Sequence, residues 1–213
     1  PTAAFMNDVS VSGDEGHVTE KLRVLCIDHE GGFGGSSRSL FYLVDGMDKN
    51  LVSVELWCRK SGPIQDMYKR SGITTRIVPE LPTSNTVFRF SRNVVSLARL
   101  NATLFKNRGR WRTIANQIEQ EFDLVHFNHP NLYPLADALR PLLRVPFSMH
   151  MRTVLEDLYE GSSRFWFWNY VDAVTSNWFA RRQISKISNS IDWLVFISGA
   201  EEDSYKKLGG CKP

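Results

Sequence analysis

The sequence predicts an α/β fold: a doubly wound, mostly parallel sheet of about six strands, Rossmann-like. Three observations predict it. Short apolar runs alternate with longer segments of helical periodicity along the 213 residues. The loop behind the first run holds Gly31, Gly32, Gly34 and Gly35. Polar residues gather just past the ends of the runs. Alternation at this spacing builds right-handed βαβ units, with helices on both faces of the sheet.

Leu22 to Ile27 is the first strand, and the glycine loop leads to an apolar-periodic helix that Ser36 or Ser37 is placed to cap. Val52 to Cys58 has strand composition. Ser61-Gly-Pro63 then starts a short helix over Ile64 to Arg70 that stops at Ser71-Gly72. Ile73 to Val78 is a third strand, ending at Pro79. A long helical region runs from Arg92 to Glu121 with a break expected near Asn107-Arg-Gly109. Asp123 to Asn128 is the fourth strand, Tyr133 to Leu143 a helix, and Pro146 to Met151 the fifth strand. A second long helical stretch, Ser163 to Ser188, leads to the sixth strand, Trp193 to Ser198, and a last helix over Glu201 to Leu208.

Composition narrows the class. Hydrophobic residues make up 42% and charged residues 23%, as in ordinary globular proteins. A net charge of +3 demands no nucleic acid. Cys26, Cys58 and Cys211 are odd in number and far apart, which suggests reduced thiols and a cytoplasmic compartment. Residues 1–20 are polar and irregular and read as a flexible leader, with one domain over 21–213. No run approaches the roughly 20 apolar residues of a membrane span.

Ligands of such sheets sit at the carboxyl ends of the strands, where strand order reverses. Asp28, His29, Glu30, Asn128, His129, His150, Arg152, Ser198 and Glu201 fall on that edge. Glycines let a ligand come close to the backbone, and a helix start presents unpaired N–H groups, so the first loop suits a phosphate. His126, Asn128 and His129 do not read as a metal site: a strand sends 126 and 128 to one face and 129 to the other, with no cysteine or carboxylate nearby. Glu201 and Glu202 open a helix, where acidic side chains stabilise in any case.

Four motifs carry a resemblance: Gly34-Gly-Ser-Ser-Arg-Ser-Leu40, Phe122-Asp-Leu-Val-His-Phe-Asn128, Pro146-Phe-Ser-Met-His-Met-Arg152 and Leu194-Val-Phe-Ile-Ser-Gly-Ala-Glu-Glu202. In this order they resemble the N-terminal half of a GT-B glycosyltransferase of the large retaining group called family 4, over roughly residues 21–210. The resemblance implies an acceptor-side domain that faces a donor-binding domain across a cleft. It implies that Gly34, Gly35 and Ser36 reach the phosphates and sugar of a nucleotide-sugar donor. It also implies that His150 helps hold the transferred sugar near the reacting carbon, and that Asn128, His129 and Arg152 meet the acceptor. No metal or other cofactor follows from it; the nucleotide-sugar is a substrate. The implied reaction transfers a sugar, with retention, to a glycan or lipid-linked acceptor.

The two glutamates, seven residues apart, that the donor domain of such enzymes carries have no counterpart here. The chain stops at Gly209-Gly-Cys-Lys-Pro213, about where a linker to a second domain is expected. The expectation is therefore half an enzyme, inactive alone, whose partner is a C-terminal donor domain. Phe165-Trp-Phe-Trp-Asn-Tyr170, with Trp178, Phe179 and Arg181-Arg182, has more aromatics than one helix stripe buries, which raises peripheral contact with a membrane surface. Phe88-Arg-Phe-Ser-Arg92 and Leu104 to Arg112 do likewise.

Two other readings fit the same fold. In a dinucleotide-binding domain the third glycine of the fingerprint falls at Ser37, and Cys58-Arg59-Lys60 suits a 2′-phosphate, hence NADP. A non-catalytic interaction domain is the other, because fold does not fix function.

Overall fold

Residues 20–28, 32, 34–82, 94–152, 178 and 180–211 are described by a computed structural model. The leader expected over 1–20, the stretches Phe88 to Arg92 and Phe165 to Tyr170, and the first part of the helix expected from Ser163 lie almost wholly outside the described residues, as do His29 and Glu30.

Six strands are described: β1 (Leu22–Ile27), β2 (Val52–Cys58), β3 (Thr74–Ile77), β4 (Leu124–Phe127), β5 (Phe147–Met151) and β6 (Trp193–Phe196). They pair in the order β3-β2-β1-β4-β5-β6, every pairing parallel. The order reverses between β1 and β4, which opens a crevice at their carboxyl ends. The helices are α1 (Gly35–Asp45), α2 (Pro63–Arg70), α3 (Val94–Glu121), α4 (Tyr133–Leu139), α5 (180–190) and α6 (Gly199–Lys207). Short 3-10 turns at Pro130–Leu132 and Arg140–Leu142 flank α4.

Side chains alternate across each strand, so the sheet has two distinct faces. Leu25, Ile27, Trp57, Val125, Phe127, Phe147, Met149 and Met151 share one face. Trp111, Ile114 and Ile118 of α3, Leu135 and Leu139 of α4, and Ile184 and Ile187 of α5 pack with them in one core. Val24, Cys26, Leu56 and Cys58 point the other way, into a second core with Leu40, Phe41 and Val44 of α1 and Ile64 and Tyr68 of α2. Each such burial removes apolar surface worth about 1.5–3 kcal/mol per large side chain.

On the second face the sheet changes character at β4. The Cα register sets His126 beside Cys26 and beside Ser148, so the row from β1 to β5 turns from apolar to polar while remaining buried. Farther out the same face is open: Trp193 is 56% exposed and Val195 41%. Ion pairs tie the amino ends of the strands together. Arg23 meets Asp123 through its backbone N–H and its guanidinium, and Asp192 accepts from both Arg140 and the Phe147 N–H.

Three local expectations differ from the structure. α3 runs through Asn107-Arg-Gly109 without a break. Glycine in a helix costs about 1 kcal/mol against alanine, and the burial of Trp111, Ile114, Ala115 and Ile118 just beyond outweighs it. Neither Ser36 nor Ser37 caps α1: Gly34 is the N-cap with φ −76 and ψ 167, and it brings no side chain to the helix start. The helix begins one residue early because Gly34 takes the extended cap conformation, and its carbonyl accepts from Arg38 N–H at 3.0 Å. The expected helix over Tyr133 to Leu143 tightens into a 3-10 turn at Arg140, where Pro141 removes a donor.

No helix among the described residues is long and apolar enough to cross a membrane. Trp178 is 49% exposed, with the Arg182 guanidinium over its ring.

Candidate functional site

The crevice at the strand-order reversal is lined from three directions. β1 ends in Asp28, which is buried and bonds its backbone N–H to Trp57 O at 3.0 Å. Behind it, α1 opens at Gly34-Gly-Ser36. β4 ends in Asn128, fully buried, and β5 ends in His150 and Arg152.

These ends are joined by one chain of hydrogen bonds. Asn128 Nδ2 donates to Ser36 O at 3.4 Å, which ties the first turn of α1 to β4. Arg152 Nε donates to Asn128 O at 3.2 Å and to Asn128 Oδ1 at 3.1 Å. Arg152 Nη2 lies 3.2 Å from His150 Nδ1. His150 Nδ1 also lies 2.9 Å from His126 Nε2, and His126 Nδ1 lies 2.9 Å from Ser148 Oγ. The two imidazoles meet edge to face, 87° between planes. Five predicted site residues, Ser36, Asn128, Arg152, His150 and, through the cap of α1, Gly34, thus come together.

His129 serves the turn that follows β4. Half-buried, its Nδ1 accepts from Asn131 N at 3.2 Å and caps the turn at Pro130–Leu132. Ser198 donates to Glu201 at the start of α6, so that pair serves the helix start. His126 and Ser148 are the members that sequence reasoning missed as site residues. The alternation in Phe147-Ser-Met-His-Met151 already put Ser148 and His150 on one face, but the partner strand was not readable.

Electrostatics keeps the pair neutral. Burial, then the nearby His150 and Arg152, lowers His126 to about 3. Burial and Arg152 lower His150 to about 4. Burial also lowers Arg152, opposed by the Asp28 carboxylate. Burial pushes both Cys26 and Cys58 up to about 12, so neither thiol is a thiolate nucleophile at neutral pH. Below them the Tyr68 hydroxyl is buried with no hydrogen-bond partner among the described residues. All three cysteines are free of disulfides.

A pH dependence of stability follows. An unfolded histidine takes up its proton near 6.5, whereas the folded pair resists protonation to about 3 and 4. Stability is therefore full above about pH 6.5 and falls as the pH drops towards 4, by up to about 1.4 kcal/mol per pH unit for each ring. The charge facing the rings is Arg152, which Asp28 and Asn128 in turn face, and Ser148 is the neutral contact of His126. Urea midpoints from pH 7 to 4.5 test this. A slope no steeper than that of a His126→Asn variant would mean that burial does not hold the rings neutral.

The glycines at the mouth have room. A Cβ on Gly35 would meet nothing within 4 Å, and one on Gly34 would reach only Ser36 Oγ at 4.0 Å. Neither has a positive φ. Among the described residues, nothing requires glycine at either position.

Comparison with known proteins gives three findings. A glycosyl transferase 4-like domain profile matches residues 34–212. No curated protein sequence matches significantly. Among solved structures, the chain is similar to Anabaena Alr3699/HepE in complex with UDP-glucose, at 14% identity and a TM-score of 0.58, over 89% of this chain and 41% of that one. It is similar to the same protein in complex with UDP and glucose, at 13% identity and a TM-score of 0.58, over 89% and 42% of the two chains. The chain thus spans about two fifths of the length of these structures, and a likeness at this identity shows the shared fold.

Proposed function

The chain belongs to the glycosyl transferase 4-like family, and from that premise we propose that it forms the acceptor-side half of a GT-B glycosyltransferase. In this reading it works with a donor-binding half to move a sugar from a nucleotide-sugar to a glycan or lipid-linked acceptor, with retention. The observation that carries the proposal is the buried chain of hydrogen bonds from Ser148 to Ser36, assembled where strand order reverses and set against the uncapped start of α1.

The chemistry asked of such a site is charge stabilisation. Glycosyl transfer expels a nucleoside diphosphate and passes through an oxocarbenium-like sugar. The N–H groups of the first turn of α1 lack intrahelical partners and carry the positive end of the helix dipole. Gly34 and Gly35 bring that end to the leaving phosphates without a Cβ in the way, and Ser36 follows them in the same turn. His150 meets the transferred sugar. Arg152 faces the acceptor side, and His129 borders it. Asn128 acts from beneath, by holding both Arg152 and the Ser36 carbonyl. The HepE structures contain UDP-glucose, UDP and glucose, which supports a nucleotide-sugar as the donor class here.

The strand order by itself equally suits NADP, with Arg59 and Lys60 behind β2. Thermal unfolding of the whole protein with a panel of nucleoside diphosphate sugars, and separately with NADPH, tells the two apart. A ligand at about 100 times its Kd adds about 2.7 kcal/mol, and for a domain of this size each kcal/mol raises Tm by about 2–4 °C. A shift with a nucleotide-sugar, with release of nucleoside diphosphate once an acceptor is added, supports the proposal. A shift with NADPH alone, or with no nucleotide, overturns it.

A further inference from the structure

The hydrogens around His150 have one self-consistent arrangement. A guanidinium has five N–H donors and no acceptor, so the 3.2 Å contact from Arg152 Nη2 makes His150 Nδ1 an acceptor. A neutral imidazole whose Nδ1 accepts carries its proton on Nε2. The same Nδ1 faces His126 Nε2 at 2.9 Å, so His126 is the donor there and is itself protonated on Nε2. Burial keeps His126 neutral, so its Nδ1 is bare and accepts from the Ser148 hydroxyl at 2.9 Å. Every hydrogen points the same way along the row, from Ser148 through His126 to His150, and Arg152 closes the other side.

We infer that Ser148, His126 and Arg152 are positioning residues that lock His150 as a neutral Nε2–H tautomer, so that His150 donates a hydrogen bond to a ligand oxygen and takes no proton from the ligand. The geometry stands on this chain alone; the consequence for catalysis rests on the glycosyl-transfer reading above. Nε2 is the ring atom left over: no group among the described residues accepts from it, and it is not among the fully buried unpartnered atoms. A base for the attacking hydroxyl needs a bare nitrogen facing the ligand. His150 has none, because its one lone pair is shared between two protein donors. What it offers is a preorganised donor, useful for holding a sugar oxygen as charge develops on the ring. In a displacement that inverts configuration, the base that deprotonates the acceptor would have to be another group.

Lowered proton affinity at both rings agrees with this: an imidazolium at His150 would put Nδ1–H against His126 Nε2–H and the guanidinium, and burial disfavours a charge on His126. The crossed planes of the rings direct one edge of His126 at the Nδ1 edge of His150, which sets the angle at which Nε2–H leaves the network.

Selective 15N-histidine labelling of the whole protein, with long-range 1H–15N correlation spectra near pH 7, reads the tautomers directly. The expected result is Nε2–H and no positive charge on both rings. His150 protonated on Nδ1, or as an imidazolium, overturns the inference. Kinetics supply the second arm. His126→Leu is expected to lower kcat about 10- to 100-fold with little change in donor KM. His126→Gln, whose amide N–H replaces the lost donor, should recover most of that loss. A His126→Leu variant as fast as the parent, or an acid limb in kcat near pH 6.5 that His150→Gln abolishes, overturns it. If the parent transfers no sugar, the functional reading fails, and the spectra still decide the tautomer.

Discussion

Replacing His150 by alanine in the whole protein is expected to lower kcat for sugar transfer about 100- to 1000-fold, the cost of removing one preorganised donor from a developing charge. The ring that disappears is the end of a relay whose other described members are already paired, so none of them is free to supply an N–H at the same point. Arg152 is held by Asn128 on its Nε side, and His126 is held by Ser148. The same variant leaves His126 Nε2–H and Arg152 Nη2 facing a hole, which costs about 1–3 kcal/mol of stability. Unfolding midpoints measured beside turnover separate the two effects. His150→Gln, which keeps an N–H near the site, should lose less turnover than alanine. Parent-like turnover in the alanine variant would remove His150 from the site.

Gly35→Val is expected to abolish donor use, with kcat/KM down about 100-fold or more, while the fold survives. The structure separates these outcomes because the Cβ position at Gly35 is empty to 4 Å among the described residues. A valine at the first position of α1 gains slightly in helix propensity over glycine, by tenths of a kcal/mol. Only a partner from outside the described chain can clash with it. Gly35→Ala, with one methyl group, should fall between. Unchanged donor kinetics in the valine variant, together with a parent-like melting temperature, would mean that the phosphates do not approach this turn.

The elements themselves were legible because each rests on a local pattern. Leu22 to Ile27 and Val52 to Cys58 lie where the apolar runs put them, and Pro63 sits at the first turn of α2, where its missing N–H costs nothing. Patterns that weigh local propensity against distant burial misled. Gly109 reads as a break because nothing nearby in sequence announces how deeply Trp111 and Ile118 are buried. Ser36 and Ser37 read as caps on composition, but which residue turns extended before a helix is settled by how the loop leaves β1. The family resemblance rested on the order of four motifs, and the match over residues 34–212 covers all of them.

The candidate site was half legible. Strand ends are where polar residues after an apolar run must go in a parallel sheet, so the placement of Asn128, His150 and Arg152 on one edge is legible in the sequence. His126 was weighed only as a metal ligand, because its true neighbour is 24 residues away. Pairing across strands has no signature in either strand alone.

The sequence by itself determined the alternation of strands and helices, the parallel class of the sheet, the glycine-lined first turn and the edge on which the polar strand ends gather, since all of these follow from periodicity and the backbone freedom of glycine. The tertiary structure alone decided the register that sets His126 against Ser148 and His150, the guanidinium that dictates which nitrogen of His150 carries the proton, and the buried setting that keeps both rings neutral. The physical reason is range. Local propensity acts over a few residues, whereas hydrogen-bond direction and desolvation depend on atoms that only the folded sheet brings within about 3 Å of one another.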